Sequence, residues 1–191
     1  YYYMRLSELL VFWERAVKGG RKSFRYDELD EEFFIENVKP IFIPYLDYII
    51  GGILDKFADI TIFSNPIKES YTRLGKDKAP KYISWSKENR SQLIRIPAAS
   101  GEYVRAELRS PDPCANPYLT FTLIIKAAML GIEKKMTPPA AVDMDLFKTP
   151  EEQIPEISLL PETIDEAKNQ ARDSEFIKEN IPETILTYYC G

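Results

Sequence analysis

The sequence predicts an α+β fold in which a segment of antiparallel sheet is flanked by helices. Two observations support this prediction. Segments with apolar residues at helical spacing occupy both ends of the chain, whereas residues 81–109 contain short runs of β-branched and aromatic residues separated by turn-forming stretches. The chain has 191 residues, of which 45% are hydrophobic and 13% aromatic, so it can bury a substantial core.

Two helices are predicted in the N-terminal third of the chain. The first ends at Gly19-Gly20, and the second spans residues 44–58 with a broad apolar face. Gly51 and Gly52 lie inside the second helix, where each lowers helix stability by about 1 kcal/mol relative to Ala. We therefore expect a neighbouring element to pack closely against them.

Three strands of the antiparallel sheet are predicted over residues 81–85, 92–97 and 103–109. Side chains alternate between the two faces of a strand, so the third strand has apolar residues on one face and charged residues on the other. The charged residues are Arg105, Glu107 and Arg109. By spacing alone, this row is more typical of a solvated ladder of ion pairs, each of which contributes little to stability.

The next predicted helix begins after a proline-containing turn. Asn116 supplies the N-cap and Pro117 the first helical position, and the helix ends at Gly131. Its residues are apolar nearly all round, so we expect neighbours on both sides. Residues 137–160 contain four prolines and predict a long irregular segment.

The last helices are predicted from local signals at their starts. Thr163 and Glu166 form a capping box that begins one helix, and Pro182 marks the start of another. No internal repeat or low-complexity segment is present. The C-terminal part of the chain is therefore expected to be helical.

Composition excludes several classes of chemistry. The chain has no His, so it cannot supply a Ser/His or Cys/His catalytic pair or a His-ligated metal. Cys114 and Cys190 are too few and too far apart for a disulfide scaffold or zinc cluster, so a cytoplasmic location is expected. No apolar run reaches the roughly 18 to 20 uncharged residues that a membrane-spanning helix needs, so no membrane partner is expected.

Charge is unevenly distributed along the chain. The whole chain carries a net charge of −5, but residues 68–109 carry ten basic and five acidic residues. Several of the basic residues are arginines, which bind carboxylate and phosphate groups through paired hydrogen bonds. We therefore expect a small anionic ligand. Nucleic acid is not expected, because the chain is acidic overall and this block contains no recognisable binding module.

Four stretches of residues 65–160 carry a family resemblance: NPIKESYTRLG, APKYISWSKENRSQLIRIPAASGEYVRAELRSPDPCANPYL, GIEKKMTPP and VDMDLF. Together they resemble the C-terminal part of the catalytic domain of glutamine synthetase. Residues 48–57 resemble the helix that precedes the family's NP motif, and the tail to Leu186 follows the family more loosely. We therefore predict a glutamine synthetase-like C-terminal catalytic region at residues 47–191 and an unplaced helical segment at residues 1–46.

The resemblance implies an ATP-dependent ligase. In the family, glutamate is phosphorylated on its γ-carboxylate and ammonia displaces the phosphate, with Mg²⁺ or Mn²⁺ between the nucleotide and the acyl phosphate. Active sites of the family form between neighbouring subunits in rings, so a homo-oligomer is expected. The implied partners are glutamate and ammonia, together with an N-terminal half or neighbouring subunits that complete the site.

The resemblance also assigns roles to individual residues. Arg73 matches the arginine that holds the carboxylate of the substrate glutamate, and Arg90 and Arg95 match arginines that face the phosphates. Glu107 matches a carboxylate that ligates a metal ion, and Arg109 matches the neighbouring arginine on the transferred phosphoryl group. Arginines with one carboxylate for a hard cation are what phosphoryl transfer requires.

Other residues near these motifs are expected to be structural. The resemblance leaves Arg105 at the surface. Tyr82 and Trp85 are predicted in the core, although Trp85 directly precedes the ENRS loop and could instead line a nucleotide pocket. Cys114 matches a small residue of the family and is predicted to be a buried small side chain.

The chain departs from the family pattern in ways that bear on activity. The remaining metal carboxylates, the metal-ligating histidine and the β-grasp domain of the family have no match in this chain. Glu107 alone cannot hold Mg²⁺, which requires several oxygen ligands, so the isolated chain is expected to be inactive. Lys78 stands where the family has the flap glutamate before Ala-Pro, and its reversed charge is expected to repel ammonium. The alternatives are that Asp77 replaces the glutamate or that the flap is simply solvated.

Three interpretations of function remain open at this stage. In the first, the chain is the C-terminal catalytic half of a glutamine synthetase, as an excised or split part. In the second, it is a non-catalytic relative that serves as a binding or oligomer-modulating module. A ligase for another amine substrate is the third interpretation, because related ligases share these motifs. We favour the first.

Overall fold

The computed structural model describes residues 45–76, 78–97 and 105–191. The predicted first helix and Asp77 lie outside these residues. The described helices are α1 Leu46–Ser64, α2 Lys68–Thr72, α3 Pro117–Lys134, α4 Ile164–Asp173, α5 Glu175–Asn180 and α6 Glu183–Cys190. The strands are β1 Trp85–Lys87, β2 Ile94–Ile96 and β3 Glu107–Leu108, and a single 3₁₀ turn spans Glu151–Gln153. Helices around a small sheet confirm the predicted α+β class.

Helices α1 and α3 cross in direct backbone contact. A Cβ atom added to Gly52 would collide with the backbone of Gly131, and one added to Gly131 would collide with the carbonyl oxygen of Tyr48. The close approach predicted from the paired glycines of α1 is therefore confirmed. Helix α1 continues to Ser64, beyond the predicted end. The prediction ended too early because residues 59–64 are all buried, so no exposed face marks a helical periodicity there.

The sheet combines parallel and antiparallel pairing. Strand β2 lies in the middle, where Arg95 pairs with Ser86 of β1 and with Glu107 of β3. The β2–β3 pair is antiparallel as predicted, but β1 and β2 are parallel, so the prediction of a wholly antiparallel sheet is wrong. The parallel pairing continues past β1, because the N–H of Glu88, which has a φ of 70°, donates to the carbonyl oxygen of Ile96 at 2.8 Å.

Helix α3 begins as predicted and is buried on one face. The Asn116 side chain accepts hydrogen bonds from the N–H groups of Tyr118 and Leu119 at 3.0 and 3.4 Å. The helix passes Gly131 and ends before Lys135, which has a left-handed φ of 51°. Among the described residues it packs against α1 and also contacts α5. Its buried positions follow one face, so packing on both sides stays a prediction. The buried residues are Thr120, Leu123, Ile124, Ala127, Ala128 and Gly131.

The C-terminal helices pack against α1. Thr163 accepts a hydrogen bond from the N–H of Glu166 at 3.2 Å, as the predicted capping box requires. The short helix α5 was not predicted. Asp59 of α1 links this region to the core, because its two carboxylate oxygens accept hydrogen bonds from Gln170 and Ser174 at 2.7 Å each. Within the described ranges, none of the helices is long and apolar enough to cross a membrane.

Candidate functional site

The pairing of β2 with β3 builds a compact ion-pair cluster. Arg95 lies opposite Glu107 in the register, and its Nη1 donates to Glu107 Oε2 at 3.0 Å. Arg105 Nη2 and Nε lie 3.0 and 3.1 Å from the other carboxylate oxygen. The Glu107 side chain is only 6% exposed, compared with 15% for Arg95 and 32% for Arg105. A buried carboxylate is therefore held between two guanidinium groups.

The resemblance implied that Arg105 is a surface residue. In the structure Arg105 is instead a member of this cluster, because it pairs with Glu107. The strand alternation had placed its side chain on the same face as Glu107, but only the pairing of the strands shows that both reach one another. A charged pair at opposite positions of two predicted strands, Arg95 and Glu107, was a signal available in the sequence. The register of β2 with β3 could not be predicted from the loop before β2, because that loop joins two parallel strands, β1 and β2.

Arg95 and Arg109 connect this cluster to the rest of the sheet. Arg95 Nε donates to the carbonyl oxygen of Glu88 at 2.8 Å, so its guanidinium spans from the β1–β2 loop to β3. The backbone N–H of Arg109 donates to the carbonyl oxygen of Leu93 at 3.0 Å, which continues the β2–β3 pairing past β3. Arg109 is therefore on the same side of the sheet as Glu107.

The described residues do not by themselves fit a divalent metal ion. Both carboxylate oxygens of Glu107 already accept hydrogen bonds from guanidinium groups. In the part of the chain that the structure describes, no group of three or more Asp, Glu, Cys or His side chains could hold a metal ion. Mg²⁺ and Mn²⁺ require several oxygen ligands, so the described residues offer at most one of them here.

Arg73 binds three groups within the chain. Its Nε donates to Asp112 at 3.1 Å, and its Nη2 donates to Asn65 Oδ1 at 2.7 Å and to the carbonyl oxygen of Ser110. These contacts tie the NP motif and α2 to the turn after β3. Burial raises the pKa of Asp112, but hydrogen bonds from Cys114 and the charge of Arg73 outweigh this effect, and the pKa is lowered overall.

The flap forms a tight turn between α2 and β1. The N–H of Gly75 donates to the carbonyl oxygen of Ala79 at 2.8 Å, and the N–H of Ala79 donates to that of Lys76 at the same distance. Gly75 and Lys78 have φ angles of 78° and 70°. Lys78 is exposed, and it makes no hydrogen bond or ion pair with any residue that the structure describes. Asp77 lies outside the described residues.

Arg90 is exposed on the loop between β1 and β2, without a hydrogen bond or ion pair to any described residue. The aromatic predictions near this loop have mixed outcomes. Tyr82 is 8% exposed, which confirms its place in the core. Trp85 is half-buried, and its Nε1 donates to the carbonyl oxygen of Pro139 at 2.7 Å. Cys114 is exposed, so its predicted burial is wrong: Asp112 Oδ1 accepts from its N–H at 2.8 Å in an exposed turn.

Comparison with known proteins places these motifs in one family. The chain is 41% identical over 145 residues to a glutamine synthetase of Methanosarcina mazei, across 74% of this chain and 32% of that protein. It is 37% identical over 180 residues to a glutamine synthetase of Sulfolobus acidocaldarius, across 91% of this chain and 36% of that protein. A solved structure of a GmaS/ADP complex is similar with a TM-score of 0.66 at 27% identity, across 76% of this chain and 35% of that chain.

The family described as the catalytic domain of glutamine synthetase matches residues 30–191. The chain spans about a third of the length of the curated relatives it matches. The family match begins upstream of residue 47, and the domain boundary predicted there stays a prediction. The resemblance inferred from the sequence motifs is confirmed, and the chain belongs to the glutamine synthetase catalytic-domain family.

Proposed function

We propose that this region supplies the anion-binding side of an ATP-dependent glutamate–ammonia ligase. One observation carries the proposal: two of the three arginines on this face of the sheet, Arg95 and Arg105, share a single buried carboxylate, so this pair keeps a net positive charge. The arginines are Arg95, Arg105 and Arg109, and the carboxylate is Glu107. Membership of the glutamine synthetase family supports ATP and glutamate as the ligands.

The proposed role of these arginines is to bind and orient phosphate oxygens. Phosphoryl transfer is catalysed mainly by positioning and by neutralising charge on the transferred group. Arg95 has donors on three nitrogens, and its contacts with Glu107 and Glu88 use Nε and Nη1. Since Nη2 bonds to none of the described residues, we assign it to a phosphate oxygen. We assign Arg109 to the transferred phosphoryl group and Arg90, which is exposed, to the phosphates of the nucleotide.

Glu107 acts in this proposal by positioning the arginines. Mg²⁺ or Mn²⁺, when bound in the family, supplies further neutralisation of phosphate charge, but its ligands would have to come from outside the described residues. Arg73 would hold the glutamate carboxylate through Nη1, because Nε and Nη2 are already engaged. The N-terminal half or neighbouring subunits of a cytoplasmic homo-oligomer would complete the site, since the chain spans only a third of its relatives.

Isothermal titration calorimetry with ATP tests the anion site. Arg95→Ala should weaken ATP binding by about 10-fold, because it removes a charge-assisted hydrogen bond. Arg95→Lys should recover only part of this loss, since Lys cannot reproduce the planar fork of donors. Lys148→Ala is the control, because that side chain is 85% exposed and paired only with Asp145. Equal ATP affinity of Arg95→Ala and Lys148→Ala would disprove the proposal.

A second candidate function is ligation of an amine other than ammonia. The exposed side chain of Lys78 supports it, because this flap position offers no carboxylate to attract ammonium or to accept its proton. In a complete enzyme that contains this region, Lys78→Glu should raise the ammonium-dependent rate. A positioned base contributes roughly 100-fold or more, which sets the scale of the expected increase. Lys78→Gln, which removes the charge without adding a base, separates the two effects.

Steady-state rates against ammonium concentration decide between the two candidates. If another amine is used better than ammonium before substitution and Lys78→Glu raises the rate with ammonium, the second candidate is favoured. If Asp77→Asn lowers the ammonium rate instead, Asp77 has replaced the flap glutamate. Nucleotide affinity should change little in each variant, since we assign ATP binding to the arginines.

A further inference from the structure

The loop that carries Arg90 is fixed by a segment distant in sequence, residues 139–146, which we call the strap. Backbone groups along the strap bond to residues between β1 and β2 or at the start of β1. The contacts are Trp85 Nε1 to Pro139 O at 2.7 Å, Val142 N to Trp85 O at 2.9 Å, Asn89 Nδ2 to Asp143 O at 3.1 Å, Gln92 Nε2 to Met144 O at 3.0 Å and Leu146 N to Ser91 Oγ at 2.8 Å.

Ser91 is central to these contacts. It is 2% exposed, and its hydroxyl oxygen accepts the hydrogen bond from Leu146 while donating to Asn89 Oδ1 at 2.9 Å. Asn89 Oδ1 also accepts from the N–H of Ser91 at 3.0 Å. The residues on both sides of Arg90 are therefore held to one another and to the strap.

The backbone on either side of Arg90 is fixed, whereas its guanidinium is exposed and pairs with no described residue. Fixing a charged group before its ligand arrives lowers the entropy that binding costs. The Ser91 hydroxyl is buried and bonded to Asn89 and Leu146, so we expect it to affect an anion only through the loop. The strap therefore has the geometry of a support for Arg90.

We propose that Ser91, with Asn89 and the strap, is a positioning residue for Arg90 and increases the affinity of the chain for polyphosphate. This inference rests on the proposed function, because it takes Arg90 as a phosphate contact. It assigns a role in ligand binding to residues 139–146, which lie in the irregular segment between α3 and α4. Ser91 itself is not expected to touch the ligand.

The test is a double-mutant cycle with inorganic tripolyphosphate, measured by calorimetry on the 191-residue chain. Arg90→Ala should weaken binding by about 10-fold, and Ser91→Ala by about 3- to 10-fold. The double variant should bind no more weakly than Arg90→Ala alone, because residues that act through one another are not additive. Ser174→Ala is the matched control: it removes another hydrogen-bonded hydroxyl, at the start of α5, and should leave tripolyphosphate affinity unchanged.

Asn89→Ala repeats the test at a half-buried position, in case Ser91→Ala does not fold. Additive losses in the double variant, or unchanged affinity in both Ser91→Ala and Asn89→Ala, would overturn the positioning role alone. If Arg90→Ala binds normally while Arg95→Ala binds weakly, this inference fails and the anion site at Arg95 stands. If Arg95→Ala also binds normally, the proposed function fails as well.

Discussion

At the scale of single residues, the site depends on a carboxylate that is almost fully buried. Glu107 is stabilised because Arg95 and Arg105 each pair with one of its oxygens. Removing one partner of a buried ion pair leaves the other charge without compensation, which costs more than the intact pair contributes. The three side chains should therefore behave as one unit, and each substitution should affect the others.

Glu107→Ala should lower the free energy of unfolding by about 2 to 4 kcal/mol, since two arginines lose their partner in a poorly solvated site. Urea unfolding followed by circular dichroism measures this change. Glu175→Ala is the matched control, because that carboxylate pairs with Lys178 while 79% exposed and should contribute about 0.5 kcal/mol or less. Similar losses in the two variants would show that the cluster contributes no more than a surface ion pair.

Asp112 provides a pH-dependent contribution to stability. Its pKa is lowered in the folded chain, so its stabilising effect is present above the ordinary Asp pKa of about 3.9 and is lost as the pH falls through the lower, folded value. Asp112→Asn should reduce stability at pH 7 and lose this part of the acid dependence. Urea unfolding of both proteins between pH 7 and pH 3 tests it, and parallel pH profiles would contradict it.

At the scale of elements, the crossing of α1 and α3 is a direct contact between two helix backbones. The glycines at the crossing allow the two backbones to touch, and no side chain of any size fits between them. Helix α3 leads from the turn that Arg73 and Asp112 hold, and the strap follows it. A shift of α3 should therefore displace both the turn at residues 110–113 and the strap that holds the Arg90 loop.

Gly131→Ala should destabilise the chain by about 1 to 3 kcal/mol through overpacking, although Ala favours helix formation by about 1 kcal/mol over Gly. Its added methyl group would collide with the carbonyl oxygen of Tyr48. Thermal unfolding measures the loss, and Thr122→Ala on the exposed face of α3 is the control. A stabilised Gly131→Ala variant would mean that the helices can separate without cost.

At the scale of the whole molecule, the chain spans about a third of its curated relatives, and the described residues provide arginines without a set of metal ligands. Binding of a polyphosphate needs only the former, whereas turnover needs the complete site. Nucleotide binding and catalysis should therefore be separable in this protein.

The isolated 191-residue chain should bind ATP weakly and form no glutamine from glutamate and ammonia. Calorimetry measures the first property, and a phosphate-release assay with Mg²⁺ measures the second. Addition of an N-terminal half of a related glutamine synthetase should restore turnover if the chain is a catalytic half. Measurable glutamine formation by the chain alone would contradict this prediction.

Much of the local structure was determined by the sequence itself. The caps at Asn116 and Thr163 act through neighbouring residues, so their effects could be predicted from the residues alone. The paired glycines of α1 predicted a close approach but not the element that makes it. The family motifs likewise predicted which arginines belong to the candidate site, and these roles stay predictions. Local hydrogen bonds and backbone preferences need no knowledge of distant parts of the chain.

Only the tertiary structure decided which distant residues meet. The parallel pairing of β1 with β2, the inclusion of Arg105 in the Glu107 cluster and the bonds from the strap to Ser91 all depend on contacts between separate segments. The exposure of Cys114 is a further example. Periodicity and spacing report how a residue relates to its neighbours along the chain, whereas the partners of a buried charge are set by strand register and loop path, which the whole fold determines.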